Sequence, residues 1–362
     1  MKASSLLLCL TIAYSGYSHA DESIHSQFKI VYQQYLDAQQ QGKGKGAEDK
    51  AEQAYLLGKQ IYGDKSDNTA NLAINYANEL HQYPAENKQK RFTLFEQAYT
   101  ILAANHPASS IELIDALLGM ATNTDSVNRA DALYKQVIEI AAVQKVPKLV
   151  ADMKLAAAQG LAYGFQGKKY NQAKRYLLEA DEFYSQNLPE NSVERIKADF
   201  LVAAFAEGKR QYSKAIERLN RVVSVFDDAL SFDHETELSA HSKLVHLYEK
   251  TGKSDEATKH CLAIAKMVPW QENQQQTPLY RQEPNYPDSK ARFRQDGSVQ
   301  MEFDVNTAGF VKNITIIKSE GGEAFEQEAI KAMEKWRYAP KFEDGKAVVA
   351  KAQVQLDFKI GR

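Results

Sequence analysis

The side chains that most often carry chemistry are scarce here and poorly spaced for it. His241 and His246 stand five residues apart, off the four-residue step that puts two imidazoles on one helix face as zinc ligands. Neither H-E-x-x-H nor G-x-S-x-G occurs, so the metalloprotease and serine-hydrolase patterns are missing. The run GKGKG, Gly42 to Gly46, has the residues of a phosphate loop but not the G-x4-G-K-[ST] frame, and no strand precedes it. It reads as an early turn between helices. Cys261 occupies a helical position at repeat spacing, which suits packing better than nucleophilic attack. The acidic run EAFEQE, Glu323 to Glu328, opens a helix, where carboxylates complement the dipole. The expectation is no catalytic residue, no metal ligand, no cofactor and no enzyme, and a function that lies in binding.

The elements around these residues support that direction. Lys2, the apolar stretch Leu6 to Tyr14 and the small residues of Ser18-His19-Ala20 form a cleavable leader pattern. The mature chain is expected to begin near Asp21, in the periplasm. That stretch is about half the ~20 residues a membrane span needs, and no later run approaches that length, so no membrane anchor is expected, with an uncleaved short anchor as the alternative. The remaining cysteine, Cys261, has no disulfide partner. With 45 basic and 47 acidic side chains the net charge is −2, which provides no electrostatic footprint for nucleic acid. A chain of 362 residues suggests two domains.

Residues 21–268 read as helical and carry an internal repeat. Ala173, Leu177 and Ala180 recur as Ala215, Leu219 and Val222, then as Ala257, Cys261 and Ile264, each set 42 residues after the last. The same small-x3-large-x2-small frame stands upstream at Ala130, Tyr134, Val137 and at Ala51, Tyr55, Gly58, with a degraded copy at Arg91, Phe95, Ala98. A small residue lets two antiparallel helices approach, and the large one four positions later fills the groove beside it. A fixed period means units that must stack to bury their faces. The six anchors resemble the tetratricopeptide (TPR) pattern, stretched past its usual 34 residues. The resemblance implies about six helix pairs in a superhelix whose concave groove binds protein.

Residues 269–285 are polar and irregular, and beyond them the period changes to two. Val299, Met301, Phe303 and Val305 face one way, Asn306 to Gly309 turns, and VKNITIIK pairs back, with Ile317 breaking the alternation as either a bulge or burial on both faces would. Phe325, Ala329, Ala332, Met333 and Trp336 share a helix face, and a final strand runs from about Val348 to Ile360. Its Lys351, Gln353, Gln355, Asp357 and Lys359 point outward. The fold class expected is therefore an all-α superhelix followed by a small α+β domain of hairpin, helix and edge strand, residues 286–362.

The Tyr286-Pro287 pair, Gly297 before the first strand, Gly309 in the hairpin and then Trp336-Arg337-Tyr338 with Pro340 resemble the C-terminal domain of the TonB family. The resemblance implies a domain that binds an extended peptide by strand addition. The peptide sites it implies are the closing strand, Lys351 to Lys359, and the segment Glu283, Pro284, Asn285, Tyr286 and Pro287. Trp336, Arg337 and Tyr338 are expected to lock the helix end back onto the sheet. Implied partners are outer-membrane TonB-dependent receptors and the inner-membrane ExbB, ExbD and TonB components. TonB proteins carry a membrane anchor and a Pro-rich spacer where this chain has a leader and helical repeats. The expectation is thus an unanchored periplasmic adaptor. The alternative is an envelope scaffold whose C-terminal domain forms a homodimer.

Overall fold

The computed structural model describes residues 19–42, 44–81, 85–165, 167–229, 235–268, 270 and 276–360. Of the expected leader, residues 1–20, those up to Ser18 lie outside them, as does most of the polar stretch after Trp270. The chain divides into two compact units, one through Ala180 and the other from Asp181.

The first unit is helical. It comprises α1 (His19–Gln40), α2 (Gly44–Tyr62), α3 (Asp67–Glu79), α4 (Ala85–Asn105), α5 (Ile114–Asn123), α6 (Val127–Val143), α7 (Pro147–Gly164) and the start of α8 (Tyr170–Asn187). Local chemistry sets several starts. Ser66 caps α3 by accepting from the Asn68 amide, Ser126 caps α6 by accepting from the Arg129 amide, and Pro147 opens α7. Such caps contribute about 1 kcal/mol each. The turn expected at GKGKG is shorter than its glycines suggest, because α2 already begins at Gly44.

The repeat frame lies on α2, α4, α6, α8, α10 and α12, the second helix of each pair. Ala51, Ala130, Ala173, Ala215 and Ala257 are all at most 2% exposed. Two glycines complete the packing. A Cβ on Gly119 of α5 would stand 2.2 Å from the Phe95 ring, and one on Gly160 of α7 would stand 1.9 Å from the Tyr134 hydroxyl. The large residue of one frame therefore drops into a notch that only glycine leaves in the following helix.

The second unit joins helices to a sheet. α9 (Val193–Gly208), α10 (Tyr212–Ala229), α11 (Glu235–Lys250) and α12 (Ser254–Met267) precede a short α13 (Asp288–Ala291). Then follow β1 (Gly297–Val305), β2 (Val311–Glu320), α14 (Glu323–Met333), β3 (Lys341–Glu343), β4 (Lys346–Val348) and β5 (Ala350–Phe358). The antiparallel sheet has the order β2-β1-β5, and β3 pairs with β4 separately. Val299, Met301, Phe303 and Val305 form its buried face, covered by Phe325, Ala329 and Met333 of α14 together with Trp336 and Tyr338.

Two expectations need correction. The final strand does not begin at Val348. Asp344 and Gly345 both take positive φ (48° and 74°), as a type I′ hairpin requires, and they fold 341–348 into a separate ribbon before β5. The covering helix ends at Met333, so Trp336 reaches the core from the irregular segment beyond it.

Candidate peptide-binding edge

β5 pairs with β1 through nine consecutive positions, Gly297 with Phe358 to Val305 with Ala350, without a register shift. The direction of its amides follows from β1. The Asn306 amide donates to Phe310 O (2.9 Å) on the β2 side. Along a regular strand amides alternate sides, so Phe303, Met301 and Val299 turn theirs toward β5. Their partners Ala352, Val354 and Leu356 answer them. The Ile360 amide agrees, donating to Asp296 Oδ1 at 3.1 Å. The amides and carbonyls of Lys351, Gln353, Gln355 and Asp357 consequently face away from β1. Among the described residues no strand pairs there.

The same four side chains are exposed, as is Lys359. On the open face of the sheet Lys351 and Gln353 donate to the two oxygens of Glu302 (3.1 and 3.3 Å), and Gln355 donates to Asp357 (2.8 Å). The hydrogen bonds from Lys351 and Gln353 hold the Glu302 carboxyl below its ordinary pKa. These contacts are between side chains and do not engage the backbone of β5.

β2 forms the other edge and differs. Its register with β1 slips between Gln300 and Met301 and again between Glu302 and Asp304. Ile317 sits at the first slip, half exposed, as its break in alternation leads one to expect; Asn313, at the second, takes φ 50°. Bulges of this kind twist an edge away from further pairing.

The segment before α13 meets the far end of β5. Tyr286 donates to Gln295 O (2.5 Å) and packs edge-on against Phe325 and Phe358, with centroids 5.5 and 6.1 Å away. Pro287 is buried, while Glu283 is exposed and pairs with Arg281 at 3.1 Å. Pro284 is half-buried and Asn285 exposed. Tyr286 thus brings this segment to β5, while the Glu283 carboxylate is held by its neighbour.

The three-residue signature separates in space. Trp336 donates its indole N–H to Gln282 O (2.8 Å), and Tyr338 packs on Phe303 at 5.4 Å. Both belong to the core cluster of the sheet. Arg337 does not. Its guanidinium leaves the sheet, pairs with Glu249 of α11 and donates to Thr258 Oγ1 of α12 at 2.7 Å. Side chains alternate along an extended segment, so the residue between two core aromatics must point elsewhere. Gly309 explains how the segment fits: its φ is 85°, and a Cβ would lie 2.2 Å from Tyr338 O. Close approach of two backbones demands glycine there.

The histidines form an unforeseen pair. His241 Nδ1 and His260 Nδ1 are 2.7 Å apart, and Tyr248 stacks on His260 at 5.5 Å. Burial, then the nearby His241, pushes the His260 pKa down to about 4. His246 instead packs against Tyr280. Burial raises the Cys261 thiol to about 11, far from a reactive thiolate. Among the described residues no group of three or more His, Cys, Asp or Glu side chains is placed to hold a metal, and no helix is long and apolar enough to cross a membrane.

Residues 282–360 match the family described as Gram-negative bacterial TonB protein C-terminal. Protein TonB of Salmonella typhimurium is 42% identical over 60 residues, which are 17% of this chain and 25% of the relative. Protein TonB of Escherichia coli K12 is 39% identical over 62 residues, again 17% of this chain and 26% of that one. The chain therefore spans about a quarter of the length of these relatives. Among solved structures, the solution structure of the Pseudomonas aeruginosa TonB C-terminal domain covers 25% of this chain and 92% of its own, at 28% identity and a TM-score of 0.23. BtubC (BKLC) from P. vanneervenii covers 73% of this chain and 99% of its own, at 13% identity and a TM-score of 0.48.

Proposed function

We propose that this chain is a non-enzymatic periplasmic adaptor of a TonB-type outer-membrane transport system. The β5 edge takes an extended peptide as an additional strand, and the helical repeats bind a second protein. The observation that carries this reading is the unbroken β5 strand, which points a row of backbone donors and acceptors outward within the segment matching the TonB C-terminal family. Main-chain pairing supplies affinity in this mode, and the alternate side chains select the sequence. Outer-membrane receptors are the proposed peptide donors, with ExbB, ExbD and TonB components on the inner-membrane side. Glu283 to Pro287 forms the end of the site, through the contact of Tyr286 with Phe358.

The test is a crosslinker at position 353 of the full chain, in cells carrying the receptors, with and without Gln355→Pro. Proline removes an outward amide and leaves the core untouched. Receptor crosslinks lost in the proline variant support the reading, and unchanged receptor crosslinks refute it. Crosslinks only between copies of this chain would instead establish the envelope scaffold with a paired C-terminal domain.

A further inference from the structure

Arg337 is fully buried, with 0% of its surface exposed. A guanidinium in that position needs an anion. The carboxylate hydrogen-bonded to it among the described residues is Glu249, 88 residues earlier on α11. Ser254 Oγ holds the other oxygen of Glu249 at 2.8 Å. The second arm of Arg337 donates to Thr258 Oγ1 (2.7 Å) and to Ala308 O in the β1–β2 turn (2.8 Å). Cζ of the guanidinium lies 3.7 Å from the centroid of the Phe310 ring. Among the described residues Glu249 is the carboxylate that forms an ion pair with this charge. The backbone joins in: the Arg337 amide donates to Tyr280 O (3.0 Å), and its carbonyl accepts from the Leu279 amide (2.7 Å). Leu279, Tyr280 and Ala339 pack on the core of α9–α12.

We infer that Arg337 and Glu249 form a latch that makes α11 and α12 part of the cooperative unit bearing the β5 edge. Residues 286–362 supply the cation, and the last helix pair supplies its anion. Opening the helix pair strands a buried charge beside the β1–β2 turn, and opening the sheet strands Glu249. Each therefore opens with the other. One consequence rests on the function proposed above: a partner that pries α11 from α12 would also loosen the edge that takes the peptide.

Hydrogen exchange of the full chain tests the latch without any partner, so its failure is distinguishable from failure of the peptide-binding reading. In the unaltered protein under increasing denaturant, slow amides of β1, β5 and α12 should converge on one opening isotherm. Glu249→Ala should speed exchange in β1 and β5 by at least about 100-fold, although the change is on a helix. The apolar pair Glu249→Leu with Arg337→Met should restore protection to within about tenfold of the original, since a buried ion pair is replaceable by packing. Strand amides that keep their protection in Glu249→Ala, or isotherms of α12 and β1 that stay apart in the unaltered chain, would overturn the inference. The isotherms need no variant, so a Glu249→Ala chain that fails to fold leaves the test intact.

Discussion

The two edges of one sheet have opposite designs. β2 carries two register slips, a left-handed Asn313 and an outward Ile317, whereas β5 runs nine residues in register. Both pair with the same central strand, so the difference does not come from β1. A bulge consumes a residue without extending the ladder, and it turns the outer row of amides out of line. The comparison teaches that the sheet protects one edge with its own irregularity and keeps the other straight. Edge strands invite unwanted pairing, and a straight one retained beside a bulged one is a feature to be explained by use.

The largest expected effect comes from the turn that leads from β1 into β2. Gly309→Ala places a methyl against Tyr338 O at positive φ and should destabilise the second unit by about 2–4 kcal/mol in thermal or denaturant unfolding. Gly345 also has positive φ but opens onto empty space. Gly345→Ala should cost only about 1 kcal/mol. Equal losses at the two glycines would mean that the close approach to Tyr338 O is not what requires glycine at position 309.

Next in size is the loss of binding at β5. Gln355→Pro should weaken peptide capture about tenfold or more, since one backbone hydrogen bond is lost and the ring obstructs the incoming strand. Unfolding stability should change little. Ile317→Asp on β2 is the counterpart. Its side chain is exposed, so stability should move by no more than about 0.5 kcal/mol and peptide capture should not change. If the aspartate on β2 abolishes capture and the proline on β5 does not, the two edges have been assigned in reverse.

Acid offers a gentler probe. His260 is neutral in the folded chain because burial and His241 lower its pKa to about 4 from 6.5. Glu256 opposes that shift and Lys259 adds to it, while Glu237 lies 3.8 Å from His241 Nε2. The unfolded chain binds a proton near pH 6.5 and the folded one does not. The stability from neutral His260 is therefore complete above about 6.5 and is lost as the pH falls toward 4. The melting temperature should drop across that window, and His260→Gln should flatten the drop. Exchange at β5 should rise with exchange at α12 as the pH falls, if the latch holds them together.

Much of this architecture is legible in the chain. The anchors Ala173, Ala215 and Ala257 announce stacked helix pairs because the 3.6-residue period and the 42-residue repeat are both local. Val299, Met301, Phe303 and Val305 announce a half-buried strand by alternation. Ile317 breaks it, which fits a bulge or burial on both faces, and its exposure at a register slip decides for the bulge. Less was legible about Gly119 and Gly160. Each looks like an ordinary helix-weakening residue until the ring of Phe95 or the hydroxyl of Tyr134 is placed beside it. The Asp344-Gly345 turn is a plain hairpin signal, hidden by the alternation that runs on past it.

Sequence by itself determined the periodic faces of the helices and strands and the β1–β2 turn, because each depends on neighbours a few positions away. Only the tertiary structure decided which charge meets Arg337, which ring meets His260, and which way the backbone groups of β5 face. Those pairings span 88 residues for Arg337 with Glu249 and 19 for the two histidines. Contacts between distant segments are chosen by how whole faces pack and which buried charges must be matched, and no local spacing records that choice.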